Sequence, residues 1–124
     1  MLDLMKEYQK IQEIFKEVPE VELKVKKGKQ FRFPIYMTDR LAATDIDALD
    51  LGVRSSNCLK RTGIYTIGDL CERIHTSTEL KLIRNCGSTS VSEIMDHLFA
   101  YQYMLLSEDR KARYLAKVIE MNLL

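Results

Sequence analysis

Apolar positions along the chain change their spacing several times, and each change marks an element. From Leu2 to Val18, the residues Leu4, Tyr8, Ile11, Phe15 and Val18 recur at helical spacing, with Lys6, Glu7, Lys10, Glu13, Lys16 and Glu17 between them. That spacing predicts an amphipathic helix, which Pro19 ends. Val21, Leu23 and Val25 then alternate with Glu22 and Lys24, KKGK supplies a turn, and Phe31, Phe33 and Ile35 alternate with Arg32. Alternation on both sides of a Gly-containing turn predicts a β-hairpin from Val21 to Ile35. Lys24, Lys26, Lys27, Lys29 and Arg32 make it the most basic stretch. Those charges read either as a second phosphate contact or as protection of an exposed sheet edge.

Thr38 to Leu51 reads as a linker or short helix carrying the acidic residues Asp45, Asp47 and Asp50. Beyond it the helical period returns in short pieces. VRSSNCLKR predicts a helix from Arg54 to Thr62 that stops at Gly63, with Arg54, Asn57, Cys58 and Arg61 on one side and Val53, Ser56 and Leu59 inward. Thr66 to Asp69 is a capping box opening a helix to about Arg73, and Thr76 to Glu79 is another, opening a short helix through Ile83. Ser90 to Glu93 makes a third box, at the start of a longer helix with Val91, Ile94, Met95, Leu98 and Leu105 inward. A C-terminal helix follows from Glu108 to about Asn122, with Tyr114, Leu115, Val118 and Ile119 apolar. The expected fold class is mainly α: a compact module of about five short helices with helix-hairpin-helix-like turns, preceded by an N-terminal helix and a small β-hairpin. The expected division is an extension over 1–40, the helical module over 41–106 and the last helix over 107–124.

The segment LKLIRNCGSTSVSEI, Leu80 to Ile94, sets an apolar half-turn, a Gly and a Ser-rich helix start in succession. A Gly-containing turn and the free backbone N–H groups of the next helix can approach a phosphate closely. Net charge changes what to expect of such a site. It is only +1 over 124 residues, so bulk attraction to nucleic acid is excluded and any DNA affinity must come from a local patch. Hydrophobic residues at 46% and charged residues at 30% are globular values that argue against long disorder.

Cys58, Cys71 and Cys86 include no CxxC pair, so neither a disulfide framework nor a zinc site is written in their spacing. Reduced thiols in a cytoplasmic protein are expected, with no signal peptide and no apolar run long enough to span a bilayer. Cys71 and His75 at i, i+4 lack further metal ligands, and His75 and His97 lack a carboxylate or nucleophile partner. No enzyme, metal site or cofactor is therefore expected.

VRSSNCLKRTGIYTIGDL, Val53 to Leu70, together with LIRNCGSTSVSEI, Leu82 to Ile94, resembles the C-terminal domain of the bacterial RNA polymerase alpha subunit, a small helical module that reads promoter DNA. The resemblance covers roughly Thr44 to Leu106, a stretch expected to fold alone. No stretch is long enough to be the alpha subunit's large dimerising domain, so a free-standing, bacterial relative is expected.

The resemblance implies that Arg54 enters the minor groove of A+T-rich DNA, where narrow tracts concentrate negative potential. It also implies that Asn57 reaches a base edge or sugar, that Asn85 positions the hairpin, that Gly87 and Ser90 hold phosphates, and that Glu93 orients basic neighbours. Cys58 matches a family Cys that packs or touches DNA, and its place beside Arg54 near a helix start is one that can lower a thiol pKa. Asp50 matches an acidic position facing the sigma factor, although acids ahead of a helix also favour its dipole. Two positions depart from the family pattern. Thr89 stands where a Lys usually touches the DNA backbone, and Ile74 to Ser77 makes a longer loop.

The expected function is that of a DNA-binding, transcription-associated protein. The alternative is a protein-only adaptor that docks on RNA polymerase, sigma or a regulator. A homodimer held by Leu4, Ile11 and Phe15 is one expectation for the N-terminal helix, and packing against Tyr114, Val118 and Ile119 of the same chain is the other.

Overall fold

The computed structural model describes residues 4–27, 31–76 and 86–123, and among these it contains seven α-helices and no strand. They are α1 (Leu4–Phe15), α2 (Pro19–Lys27), α3 (Asp39–Ala42), α4 (Val53–Arg61), α5 (Ile67–Thr76), α6 (Ser88–Met104) and α7 (Glu108–Leu123), with a 3-10 helix at Ile46–Leu49. The chain forms two compact units, one of residues 1–35 with 95–124 and the other of residues 36–94. The boundary falls inside α6.

In the first unit the expected β-hairpin does not form. Residues of its first arm are helix α2, and the KKGK turn lies in part outside the described residues. Val21 and Val25 are buried one helical turn apart while Leu23, between them, is 55% exposed, so the period is helical and the apparent alternation covers too few residues to show it. Pro19 begins α2 instead of ending α1, a first-turn position where its missing N–H costs nothing. Glu20 and Glu22 add negative charge at the positive end of the same helix. α1 stops at Phe15, and a turn carries the backbone to the Val18 carbonyl, which accepts from the Val21 and Glu22 N–H groups.

The second arm of the expected hairpin is an irregular strap. Asn122 of α7 accepts from the Arg32 N–H at 2.8 Å and donates to the Arg32 carbonyl at 2.7 Å, so a side-chain amide supplies the pairing that a neighbouring strand would have given. The Tyr114 hydroxyl donates to the Pro34 carbonyl at 2.8 Å and holds the strap two residues further on.

One core joins Leu4, Tyr8, Ile11 and Phe15 of α1 with Val21 and Val25, Phe31, Phe99 and Ala100, and Tyr114, Leu115 and Val118. Phe99 is its centre: its ring meets Phe31 and Phe33 at 5.1 Å, Tyr114 at 5.9 Å, Phe15 at 6.1 Å and Tyr8 at 6.4 Å. The apolar stripe of α1, with Leu4, Ile11 and Phe15, is thus buried against its own chain, the second of the two expected packings. Leu105, expected inward, lies past the end of α6 and is 54% exposed. No helix among the described residues is long and apolar enough to cross a membrane.

In the second unit, α3 packs on α5. A Cβ placed on Gly68 would stand 2.8 Å from the Ala42 carbonyl oxygen, so the contact needs glycine. The Ile67 N–H donates to the Thr44 carbonyl at 2.8 Å and the Ile46 N–H to the Tyr65 carbonyl at 3.1 Å, which fixes the approach to the 3-10 helix. The Thr66 capping box forms as expected. The Asp69 N–H donates to the Thr66 hydroxyl at 3.1 Å, and the Asp69 carboxylate accepts from the Thr66 and Tyr65 N–H groups at 3.2 and 3.1 Å. α5 then runs past Arg73 to Thr76. The box at Thr76 to Glu79 and its short helix lie, apart from Thr76, outside the described residues.

Candidate nucleic-acid interface

α4 is the helix that carries most of the candidate residues. Gly52 is its N-cap and supplies no side chain, while Gly63, at φ 80°, turns the backbone away at the other end as the sequence predicts. Arg73 of α5 donates to the Thr62 carbonyl at 3.2 Å, which satisfies one of the acceptors left open at the α4 C-terminus.

Arg54, Asn57 and Arg61 are exposed at i, i+3, i+7, so they share one outward face. Leu59 is buried as expected, and the rest of the expected facing is corrected. Cys58 points inward, at 3% exposure, together with Ser55 and Leu59, whereas Val53, expected inside, is 78% exposed. The error is a rotation of roughly one residue, about 100° on the helix. A sequence with two serines, a Cys and a Leu as its candidate interior gives little basis for choosing the exact stripe.

The start of α6 is the second part of the site. α6 opens at Ser88, two residues before Ser90, so the expected capping box at Ser90 to Glu93 falls inside the first turns of the helix. Ser90 is buried, and Glu93 reaches out of its own helix: its Oε1 accepts from the Gly52 N–H at 2.9 Å. The Gly87 carbonyl accepts from the Val91 N–H at 3.0 Å, the bond that starts the helix. Among the described residues, nothing lies within 4 Å of a Cβ placed on Gly87. No acidic side chain occupies the first turn of α6. Thr89 is exposed there, and Asn85 lies outside the described residues.

Two interactions relate these parts. The Gly52 N–H, before α4, donates to the Glu93 carboxylate on α6, and Cys58, in the second turn of α4, acts electrostatically on Cys86, just before α6. Arg61 also acts electrostatically on Cys86. Burial, followed by the neighbouring Cys58, pushes the Cys86 thiol up to about 12, against a smaller opposing effect of Arg61. Arg61 belongs to this face and was not among the expected site residues. Its i+7 spacing from Arg54 was the available signal.

The electrostatics of the two helix starts differ. At α4 the positive end already faces the Glu93 carboxylate. At α6 the positive end has no acidic residue in its first turn, and Arg61 acts electrostatically on Cys86 just before it. Asp50 stands apart, exposed after the 3-10 helix in the left-handed region at φ 52°. Its neighbours have structural duties: the Asp45 carboxylate caps the 3-10 helix at the Asp47 N–H, and Asp47 pairs with Lys60 at 3.4 Å. No group of three or more His, Cys, Asp or Glu able to hold a metal occurs among the described residues.

Fold and site together define a small helical module with an exposed polar face on α4 beside the start of α6. The family model for the C-terminal domain of the bacterial RNA polymerase alpha subunit matches residues 37–99, just over half of this sequence, and the protein belongs to that family. It is similar to the DNA-directed RNA polymerase subunit alpha of Carboxydothermus hydrogenoformans, at 39% identity over 71 residues, which are 57% of this chain and 22% of that protein. The alpha subunit of Symbiobacterium thermophilum is 41% identical over 71 residues, with the same coverage of both proteins. That of Cutibacterium acnes is 47% identical over 55 residues, 44% of this chain and 16% of the subunit. The matched stretch spans about a fifth of the length of these relatives. No solved structure matches it.

Proposed function

We propose that this is a transcription-associated DNA-binding protein that docks on duplex DNA through the face made by α4 and the start of α6, with Arg54 in the minor groove of A+T-rich sequence. The observation that carries the reading is the asymmetry of the two helix starts. The α6 start has no described residue crowding Gly87, carries no acid in its first turn and has Arg61 acting on the neighbouring Cys86, so it suits a phosphate. The α4 start is taken by Glu93, which leaves Arg54 and Asn57 to act through their exposed side chains. Arg54 is the groove residue in this reading and Asn57 a base-edge or sugar contact. Glu93 serves by tying α6 to α4, and Cys58 and Ser90 serve from the interior.

Affinity is modest, because the protein as a whole is nearly neutral and Thr89 supplies no positive charge. With about three phosphates neutralised, log affinity falls with log salt at a slope near −2.7. The test is a titration of the 124-residue protein against A+T-rich and G+C-rich duplexes at several salt concentrations. Arg54→Ala removes most of the binding, and Thr89→Lys strengthens it and steepens the slope by about one. Equal affinity for both duplexes together with an unaffected Arg54→Ala protein overturns the reading.

A second reading, docking on RNA polymerase, sigma or a regulator without DNA, is favoured by Asp50. Asp45 and Asp47 have structural partners, whereas the Asp50 carboxylate is exposed on a left-handed residue beyond its helix. In that reading Asp50→Ala abolishes binding of a polymerase holoenzyme and leaves duplex binding unchanged.

A further inference from the structure

α7 lies outside residues 37–99, the stretch that the family model matches, and its surface has a charge pattern of its own. Arg110, Arg113 and Lys117 are all exposed. At 3.6 residues per turn they fall within about 60° of one another around the helix, and at 1.5 Å per residue they stand about 4.5 and 6 Å apart along it. Among the described residues, none of the three side chains has an ion pair or hydrogen bond. Lys111, the remaining cation of α7, differs: it pairs with Glu108 at 3.1 Å and lies over the Tyr103 ring, 5.2 Å from its centroid. Asp109 precedes the stripe and Glu120 follows it, and among the described residues neither pairs with it.

Between Arg110 and Lys117 the other exposed positions are Ala112 and Ala116, so only methyl groups stand beside the cations. The apolar side of α7 is engaged elsewhere, since Tyr114, Leu115 and Val118 are buried in the core of the first unit. Tyr114 and Asn122 also bind the strap through the Pro34 and Arg32 carbonyls, so the helix that presents the cations is anchored.

We propose that Arg110, Arg113 and Lys117 form a second nucleic-acid contact, which binds the backbone phosphates of duplex DNA without regard to sequence. Like charges this close repel one another, and a row of fixed anions relieves the repulsion. Duplex DNA supplies such a row, with one negative charge per ~1.7 Å of its axis, and phosphates carry no sequence information. Each guanidinium suits a phosphate, whose oxygens accept two parallel N–H groups. A membrane surface fits less well, because α7 keeps no apolar face to insert among acyl chains. An acidic protein also fits less well, because the stripe offers no aromatic or apolar anchor. The choice of DNA among polyanions rests as well on the DNA-binding reading of the α4 face. The α7 contact is a separate and weaker equilibrium, read most clearly once Arg54 is removed.

The test follows the fluorescence anisotropy of labelled A+T-rich and G+C-rich duplexes with the 124-residue Arg54→Ala protein at low salt. The residual binding is expected to be equal on both duplexes, and with three phosphates neutralised its log affinity falls with log salt at a slope of about −2.7. Joint replacement of Arg110, Arg113 and Lys117 by Gln flattens that slope by about 2.7 and removes the residual binding, and each single replacement flattens it by about 0.9. Glu120→Lys, which adds a cation three residues beyond Lys117, steepens the slope by about 0.9 and decides the matter should the triple variant fail to fold by circular dichroism. These comparisons are among stripe variants in one background, so they stand whatever Arg54→Ala does, and a failure of the α4 reading is told apart from a failure of this one. A triple replacement that leaves affinity and slope unchanged, a slope indifferent to Glu120→Lys, or no residual binding at low salt overturns the proposal. Tighter binding to phosphatidylserine vesicles or to polyglutamate than to the duplexes overturns it too.

Discussion

At the scale of single residues, side chains with several backbone partners are the ones to test. Asn122 serves the Arg32 N–H, the Arg32 carbonyl and the Val118 carbonyl while almost wholly buried. Removing such a group leaves its partners to find water or remain unmet, so Asn122→Ala is expected to destabilise the protein by about 2 kcal/mol. The shift of the urea unfolding midpoint measures it. Asn122→Asp should be worse, since a carboxylate keeps the acceptor for the Arg32 N–H but turns oxygens toward two carbonyls. Asp69 gives a pH signature. Hydrogen bonds from the Tyr65 and Thr66 N–H groups hold its carboxyl below its ordinary 3.8. A depressed folded value means that its contribution is complete above the unfolded value and is lost as pH falls through the folded one. Thermal melts of wild type and Asp69→Asn should therefore differ near neutral pH, draw together as pH falls below about 4, and converge only below the depressed folded value.

At the scale of elements, α5 shows a contact overriding local preference. Alanine is favoured over glycine inside a helix by about 1 kcal/mol. Yet Gly68 faces the Ala42 backbone, and a methyl group 2.8 Å from its carbonyl oxygen forces α3 away from α5. Gly68→Ala is expected to destabilise the protein by about 1–3 kcal/mol net, the cost of overpacking exceeding the gain in propensity. Differential denaturation of the two proteins checks the sign. α2 shows the reverse case, in which local chemistry was sufficient but was misread: a proline at the helix start followed by Glu20 and Glu22 is a helix opening, and the two valines one turn apart agree with it. Three alternating apolar residues outweighed those signals in the strand reading.

At the scale of the whole molecule, the covered stripe of α1 decides how the N-terminal third behaves. Ile11 is buried at 1% exposure in the core that α1 shares with α2, α6 and α7. A carboxylate placed there without a partner costs several kcal/mol, so Ile11→Asp is expected to lose cooperative unfolding of the first unit. Had the stripe been a dimer seam, the same change would have produced a folded monomer. Sedimentation combined with circular dichroism of wild type and Ile11→Asp separates the two outcomes.

What the sequence determined by itself is the set of local devices and the family. The capping box at Thr66, the left-handed stop at Gly63, the apolar period of α1 and the C-terminal helix are encoded within a few residues of where they act, so reading them needs no partner. The motif from Val53 to Leu70 together with the Gly87 turn carried the family membership that residues 37–99 bear out. Tertiary structure decided what depended on distant partners. Glu93 looks like the end of its own capping box until Gly52, 41 positions away, takes its carboxylate. Phe99 becomes the centre of an aromatic cluster only when Phe31, Phe33 and Tyr114 arrive around it. Which side of α4 faces inward followed from burial of Cys58 and exposure of Val53, a choice that its small polar residues leave nearly balanced in the sequence and that packing resolves.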